Sequence, residues 1–179
     1  MSYRPDSFVT YIVEHYTATP IEREYTYEQL EADHLKRGFR EGGYHIYITR
    51  DRPGKPARVI YGRDLSQPGR FEMGAHSSGE NDQSIGICYE GGVTLAEPNI
   101  GRNTMTPAQE KLMVAEIKKL MKRFPNAVLK GHRDMPGAAT QCPGFDVGPW
   151  WDRMTAIKPR QSIFTLIADA FRIWKESRA

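Results

Sequence analysis

Short runs of β-branched and aromatic residues alternate with capped helical stretches along this chain, and that alternation leaves few folds open. Phe8 to Val13 reads as a buried strand. Thr26-Tyr27-Glu28-Gln29 puts a hydroxyl at an N-cap and an amide three residues on, which predicts a helix to about Arg37 with Gly38 as its stop. Tyr44 to Arg50 is the second strand. Val59-Ile60-Tyr61 follows the Pro/Gly turn at Arg52 to Pro56 as the third. Ser84 to Tyr89 is small and apolar on both faces, so it belongs in the middle of a sheet. Gly91 to Met105 reads as a loop. Thr106-Pro107-Ala108-Gln109 opens another helix, with Met113, Ile117, Leu120 and Phe124 on one face and Pro125 as its end. Val128-Leu129 is a fifth strand, and Pro149-Trp150-Trp151 opens a short helix. The expectation is an α/β domain of three layers, a central mixed β-sheet flanked by helices. The second and third strands, tightly joined, should pair antiparallel.

Lys158-Pro159 interrupts this pattern, giving residues 1–158 as one domain and residues 159–179 as a C-terminal extension. Gln161 to Lys175 has the spacing of an amphipathic helix, with Ile163, Ile167, Ala170 and Trp174 on one stripe. Three uses are open to that stripe: packing on the domain, a homodimer contact, or an anionic membrane surface. The 179 residues suffice for one domain with a real core. A net charge of +3 is too small to imply nucleic-acid binding. The chain has no run long enough to span a bilayer and no apolar export signal, so it reads as made and folded in the cytosol. Its two cysteines are then expected as free thiols.

The residues that stand out chemically are His15, after a strand-like run, His132, after Val128-Leu129, and Cys142, before Pro143. Two histidines and a loop cysteine fit a three-ligand zinc set with one open position. By spacing alone they fit two structural histidines and a buried thiol equally well.

Five segments in order settle on a relative. His15-Tyr16-Thr17-Ala18-Thr19, Gly43-Tyr44-His45-Ile46, Gly74-Ala75-His76 through Asn81, Ser84-Ile85-Gly86-Ile87-Cys88, and Gly131-His132-Arg133-Asp134 with Cys142-Pro143 resemble the type-2 N-acetylmuramoyl-L-alanine amidases. That family includes the amidase-type phage lysozymes and the animal peptidoglycan recognition proteins. The resemblance runs from about Val9 to Trp151 and implies hydrolysis of the amide between N-acetylmuramic acid and L-alanine in peptidoglycan. It implies Zn2+ held by His15, His132 and Cys142, with Tyr44 as the catalytic tyrosine. Phage lysozymes carry a lysine two residues before the zinc cysteine; here Thr140 stands there, in a loop two residues longer, as a catalytic candidate able to donate a hydrogen bond but no charge. His76 and Asn81 fall in a loop that borders the substrate groove of relatives, and they are candidates for substrate contact or for pinning that loop. Cys88 stands where more distant amidases place an acid, and reads as a small buried strand residue. Glu90 points to the same face as Cys88. His34 and His45 read as packing or surface residues, and Arg133 and Asp146 as a pair that holds the ligand loop.

A phage or prophage endolysin follows from the resemblance, with a muropeptide-recycling amidase as the alternative enzyme. A non-catalytic peptidoglycan-binding module is the alternative outside catalysis, and Cys142 argues against it. Some phage lysozymes of this family also bind and inhibit the phage RNA polymerase, a partner on which no residue here bears.

Overall fold

Both capping boxes close. Thr26 Oγ1 accepts from the Gln29 N–H at 3.3 Å while Gln29 Oε1 accepts from the Thr26 N–H at 2.8 Å, opening α1 (Tyr27–Lys36). Thr106 and Gln109 repeat the exchange at 3.1 Å in each direction, opening α2 (Pro107–Arg123). Gly38 stands just past α1 at φ +84°, a helix exit that costs a glycine nothing. The computed structural model describes residues 2–156. The expected helix over Gln161 to Lys175, and with it the division at residue 158, lies outside the described residues.

The strands are β1 (Tyr3–Pro5), β2 (Tyr11–Tyr16), β3 (Thr19–Pro20), β4 (Ile46–Ile48), β5 (Val59–Tyr61), β6 (Arg70–Glu72), β7 (Ser84–Tyr89), β8 (Gly92–Val93) and β9 (Val128–Gly131). Five of them form the main sheet in the order β5-β4-β7-β2-β9. β7 is central, as its small apolar sequence requires. β4 and β5 pair antiparallel and the other three pairings are parallel, so the sheet is mixed. β1 pairs with β6, and β3 with β8, in two small ladders.

Two strand limits differ from the sequence expectation. β2 begins at Tyr11 rather than Phe8, because Asp6–Phe8 winds into a 3-10 turn. Arg123 fastens that turn through an ion pair with Asp6 at 2.9 Å. The second strand shortens to Ile46–Ile48, and the expected loop from Gly91 contains β8.

Alternation along the strands sorts side chains to two faces. Ile12, Ile46, Ile48, Ile85, Ile87 and Tyr89 join Met113, Ile117, Leu120 and Phe124 of α2 and Trp150 of α3 (Val147–Thr155) in the main core. Tyr47 and Cys88 point the other way and pack under Leu30 of α1. Helices therefore cover both faces, and the domain has three layers. On β2 the same parity parts two neighbours. Glu14 shares the α2 side with Ile12, fully buried, and burial, then Glu110, pushes its carboxyl well above the usual range. His15 emerges on the α1 side, in register with Cys88 of β7.

Candidate active site

Three loops and strand ends converge over the α1 face of the sheet. His15 projects from β2, so it lies inside a strand. His132 begins a 3-10 turn directly after β9. Cys142 comes from the loop beyond it, before a cis peptide to Pro143. The Arg133 N–H donates to the Cys142 carbonyl at 2.7 Å and locks turn to loop. Arg133 and Asp146 form the expected ion pair across the same loop.

One ligand atom from each of His15, His132 and Cys142 lies within 4.8 Å of the other two. His15 Nδ1 and Cys142 Sγ stand 3.6 Å apart, and the His15 and His132 rings are 4.5 Å apart between centroids. Donors bound tetrahedrally to zinc at about 2.0–2.3 Å stand roughly 3.5 Å from each other, so this donor set and spacing fit that ion. Burial holds the His15 ring well below the usual histidine range, with further lowering from His76 and His132. Burial also lowers His132 and pushes the Cys142 thiol up to about 12, opposed by the Tyr16 N–H that donates to its sulfur at 3.3 Å. Left to the protein alone, the two rings are neutral donors and the thiol keeps a proton that a cation must displace.

Tyr44 is half-buried, its ring 5.1 Å from that of His15. Burial, followed by Cys88 and Cys142, raises its hydroxyl well above the ordinary value, so at neutral pH it is a proton-bearing donor. The turn before it is fixed by His34, whose Nδ1 accepts from the Gly43 N–H at 2.9 Å. His45, next along the chain, points away and is fully buried: its Nδ1 accepts from the Gly86 N–H at 3.0 Å, and its Nε2 faces the Glu72 carbonyl at 2.8 Å. Thr140 is exposed beside Cys142. Its Oγ1 accepts from the Cys142 N–H at 3.1 Å, which leaves the hydroxyl proton free.

These groups open into a cleft of about 490 Å³ lined by Tyr44, His76, Asn81, His132, Thr140 and Cys142 among others. That size suits a ligand of several residues or sugar units. His76 and Asn81 thus stand in its wall as expected, with Asn81 Oδ1 and both His76 ring nitrogens turned onto the protein. Asn81 Oδ1 accepts from the His76 and Ser77 N–H groups at 2.8 and 2.9 Å, and His76 Nδ1 lies 3.1 Å from His15 Nε2. Cys88 is fully buried under Tyr44. Glu90 turns from the cleft; its carboxylate takes the Tyr25 and Arg50 N–H groups and pairs with Arg52 at 2.5 Å.

Sequence reasoning missed Tyr16, His34, Arg37 and Phe39 as lining residues of the cleft. The Arg37 guanidinium lies over the Phe39 ring at 5.0 Å and has no carboxylate partner among the described residues. Among the described lining residues it alone carries a fixed charge. Nothing local marks it, since a basic residue at a helix end is ordinary.

A family model described as N-acetylmuramoyl-L-alanine amidase matches residues 4–145. The endolysin of Klebsiella phage KP32 is 32% identical over 139 residues, covering 78% of this chain and 83% of that relative. The endolysin of Escherichia phage T7 is 30% identical over 139 residues, with the same coverages of 78% and 83%. Among solved structures, the N-acetylmuramoyl-L-alanine amidase LysC from Clostridium intestinale superposes with a TM-score of 0.66 at 26% identity, covering 88% of this chain and 92% of its own. Drosophila PGRP-LB shares the fold with a TM-score of 0.61 at 21% identity, covering 90% of each chain.

Proposed function

The chain belongs to the N-acetylmuramoyl-L-alanine amidase family, and on that premise we propose that it is a phage endolysin in which His15, His132 and Cys142 hold zinc, while Tyr44 and Thr140 act on the scissile amide. The observation that carries this reading is the convergence of three ligand atoms, all within 4.8 Å of one another, beside the cleft. Zinc held there would supply Lewis acidity toward the amide carbonyl and toward a water nucleophile.

The chain's own groups do the rest. As the carbonyl carbon becomes tetrahedral, negative charge grows on its oxygen, and donors already aimed at that point lower the barrier. Tyr44 carries its proton at neutral pH and has its ring against His15, so its hydroxyl donates there. The Thr140 hydroxyl is held by the Cys142 N–H through its oxygen, and its proton is available as a second donor. Arg37 and Phe39 present a cation stacked on an aromatic face in the cleft lining, suited to a free carboxylate of the peptide stem. His76 and Asn81 form part of the same wall. In this reading residues 1–158 form the catalytic domain, and the substrate is peptidoglycan reached after release of the enzyme to the wall. No described helix is long and apolar enough to cross a membrane.

Digesting purified peptidoglycan with the protein tests the reading. New L-alanine amino termini are the expected product. New reducing sugar ends, or no cleavage with zinc present, would overturn it.

A further inference from the structure

His15 uses both of its ring nitrogens, and only one of them faces Cys142. Nδ1 faces Cys142 Sγ at 3.6 Å. Nε2 faces His76 Nδ1 at 3.1 Å, in the buried interior. A neutral imidazole carries its proton on one nitrogen and a lone pair on the other. For Nδ1 to bind a cation, the proton must sit on Nε2, and a buried N–H there needs an acceptor. His76 Nδ1 is that acceptor, provided its own proton is on Nε2. That atom has a place to donate: the Ser84 carbonyl at 3.4 Å, with Ser84 Oγ at 3.5 Å. Ser84 Oγ gives its own proton to the Glu80 carbonyl at 2.6 Å, so toward His76 it can only accept. The first link is short and the second long, yet both run in one direction, from His15 through His76 to the end of β7.

The surroundings hold the His76 ring for this task. The residue is 9% exposed. A Cβ on Gly74 would come within 2.6 Å of the ring, and one on Gly86 within 2.5 Å, so the ring lies where only hydrogen atoms leave room. Gly86 pairs with Val13 in the sheet, on the α1 face where any side chain would fill the ring's seat. Asn81 fixes the backbone on the other side by accepting from the N–H groups of both His76 and Ser77.

We infer that His76 is a positioning residue for His15: it accepts the Nε2 proton, fixes the tautomer and aims Nδ1 at the metal. The inference rests on the reading of His15 as a ligand. Outer hydrogen-bond partners of metal-bound histidines typically contribute about 10–100-fold in metal affinity.

Three variants of the full chain, titrated with zinc against a chromogenic chelator, separate the claims. His76→Phe keeps a ring and removes the acceptor; zinc should bind about 10–100-fold more weakly. His76→Asn places an oxygen near the former Nδ1 and should restore most of that loss. Cys142→Ser should lose tight zinc binding outright. Wild-type affinity in His76→Phe, with loss in Cys142→Ser, would overturn the role of His76 and leave the ligand set standing. Equal weakening in His76→Phe and His76→Asn would also overturn it, since the acceptor would then not matter. Wild-type affinity in Cys142→Ser would remove the ligand reading and this inference with it. Should the phenylalanine variant not fold, nitrogen-15 spectra of the zinc-loaded wild type decide: His15 must carry its proton on Nε2 and His76 on Nε2. A proton on Nδ1 of either ring is incompatible with the relay.

Discussion

His15 Nδ1 and Cys142 Sγ lie 3.6 Å apart across 127 positions of sequence. No local rule brings them together; the parallel pairings of β2 with β7 and β9 do. A cation bound between them would tie β2 to the loop after β9, so metal binding would also clamp the fold. Ligand present at about 100 times its dissociation constant stabilises by about 2.7 kcal/mol. Chelation should therefore lower the melting temperature and added zinc restore it. Cys142→Ser should melt at one temperature in both conditions; a full zinc response in that variant would remove Cys142 from the ligand set.

Tyr44→Phe keeps the ring against His15 and deletes only the hydroxyl. Loss of one oxyanion donor typically lowers kcat by about 10²–10³. Zinc content, by elemental analysis, should stay at the wild-type level. Turnover near wild type would make the tyrosine a packing residue.

Arg37→Ala should act on binding rather than on chemistry. A hydrogen bond to a charged group is worth about 1.5–3 kcal/mol, less where water reaches it, so KM should rise by about tenfold with kcat little changed. Raising the salt concentration should narrow the gap between wild type and variant. An unchanged KM on a stem-bearing soluble substrate would leave Arg37 without a role in the cleft.

His45 sets a pH limit on the fold. Burial lowers it from the ordinary 6.5 to about 4. The unfolded chain therefore binds a proton more readily than the folded one, and stability is complete above pH 6.5 and lost as pH falls toward 4. At 1.36 kcal/mol per unit this amounts to roughly 3 kcal/mol. Denaturant melts at pH 7, 5.5 and 4.5 should show the decline. In His45→Gln, which cannot titrate, the slope should be shallower by that amount; an identical slope would assign the acid sensitivity to other groups.

What the sequence disclosed was what its neighbours decide. The Thr26/Gln29 and Thr106/Gln109 boxes are closed within four residues, and both formed. The smallness of Ser84 to Tyr89 predicted a central strand because both of its faces are covered. β1 and β6 were illegible: three residues each, paired across more than sixty positions, they carry no alternation to read. The late start of β2 depends on Arg123 reaching Asp6 from α2. In the site, residue types marked His15, His132 and Cys142 as candidates, while Tyr44 came only with the family resemblance. The seat of His76 was hidden, because it is made by missing side chains at Gly74 and Gly86 rather than by any group present. Arg37 was hidden for another reason: its setting against Phe39 arises from the path of the chain after α1.

The parting of Glu14 from His15 on β2 has an evolutionary consequence. Alternate positions of β2 and β7 face different surroundings, the packing beneath α2 on one side and the His15 side under α1 on the other. Val13, Gly86 and Cys88 lie on the face toward His15 and α1, whereas Ile12, Ile85 and Ile87 lie in the core. A lineage on this scaffold can drift in one set while the other is held, which lets catalysis be gained, retuned or abandoned in a domain that still folds.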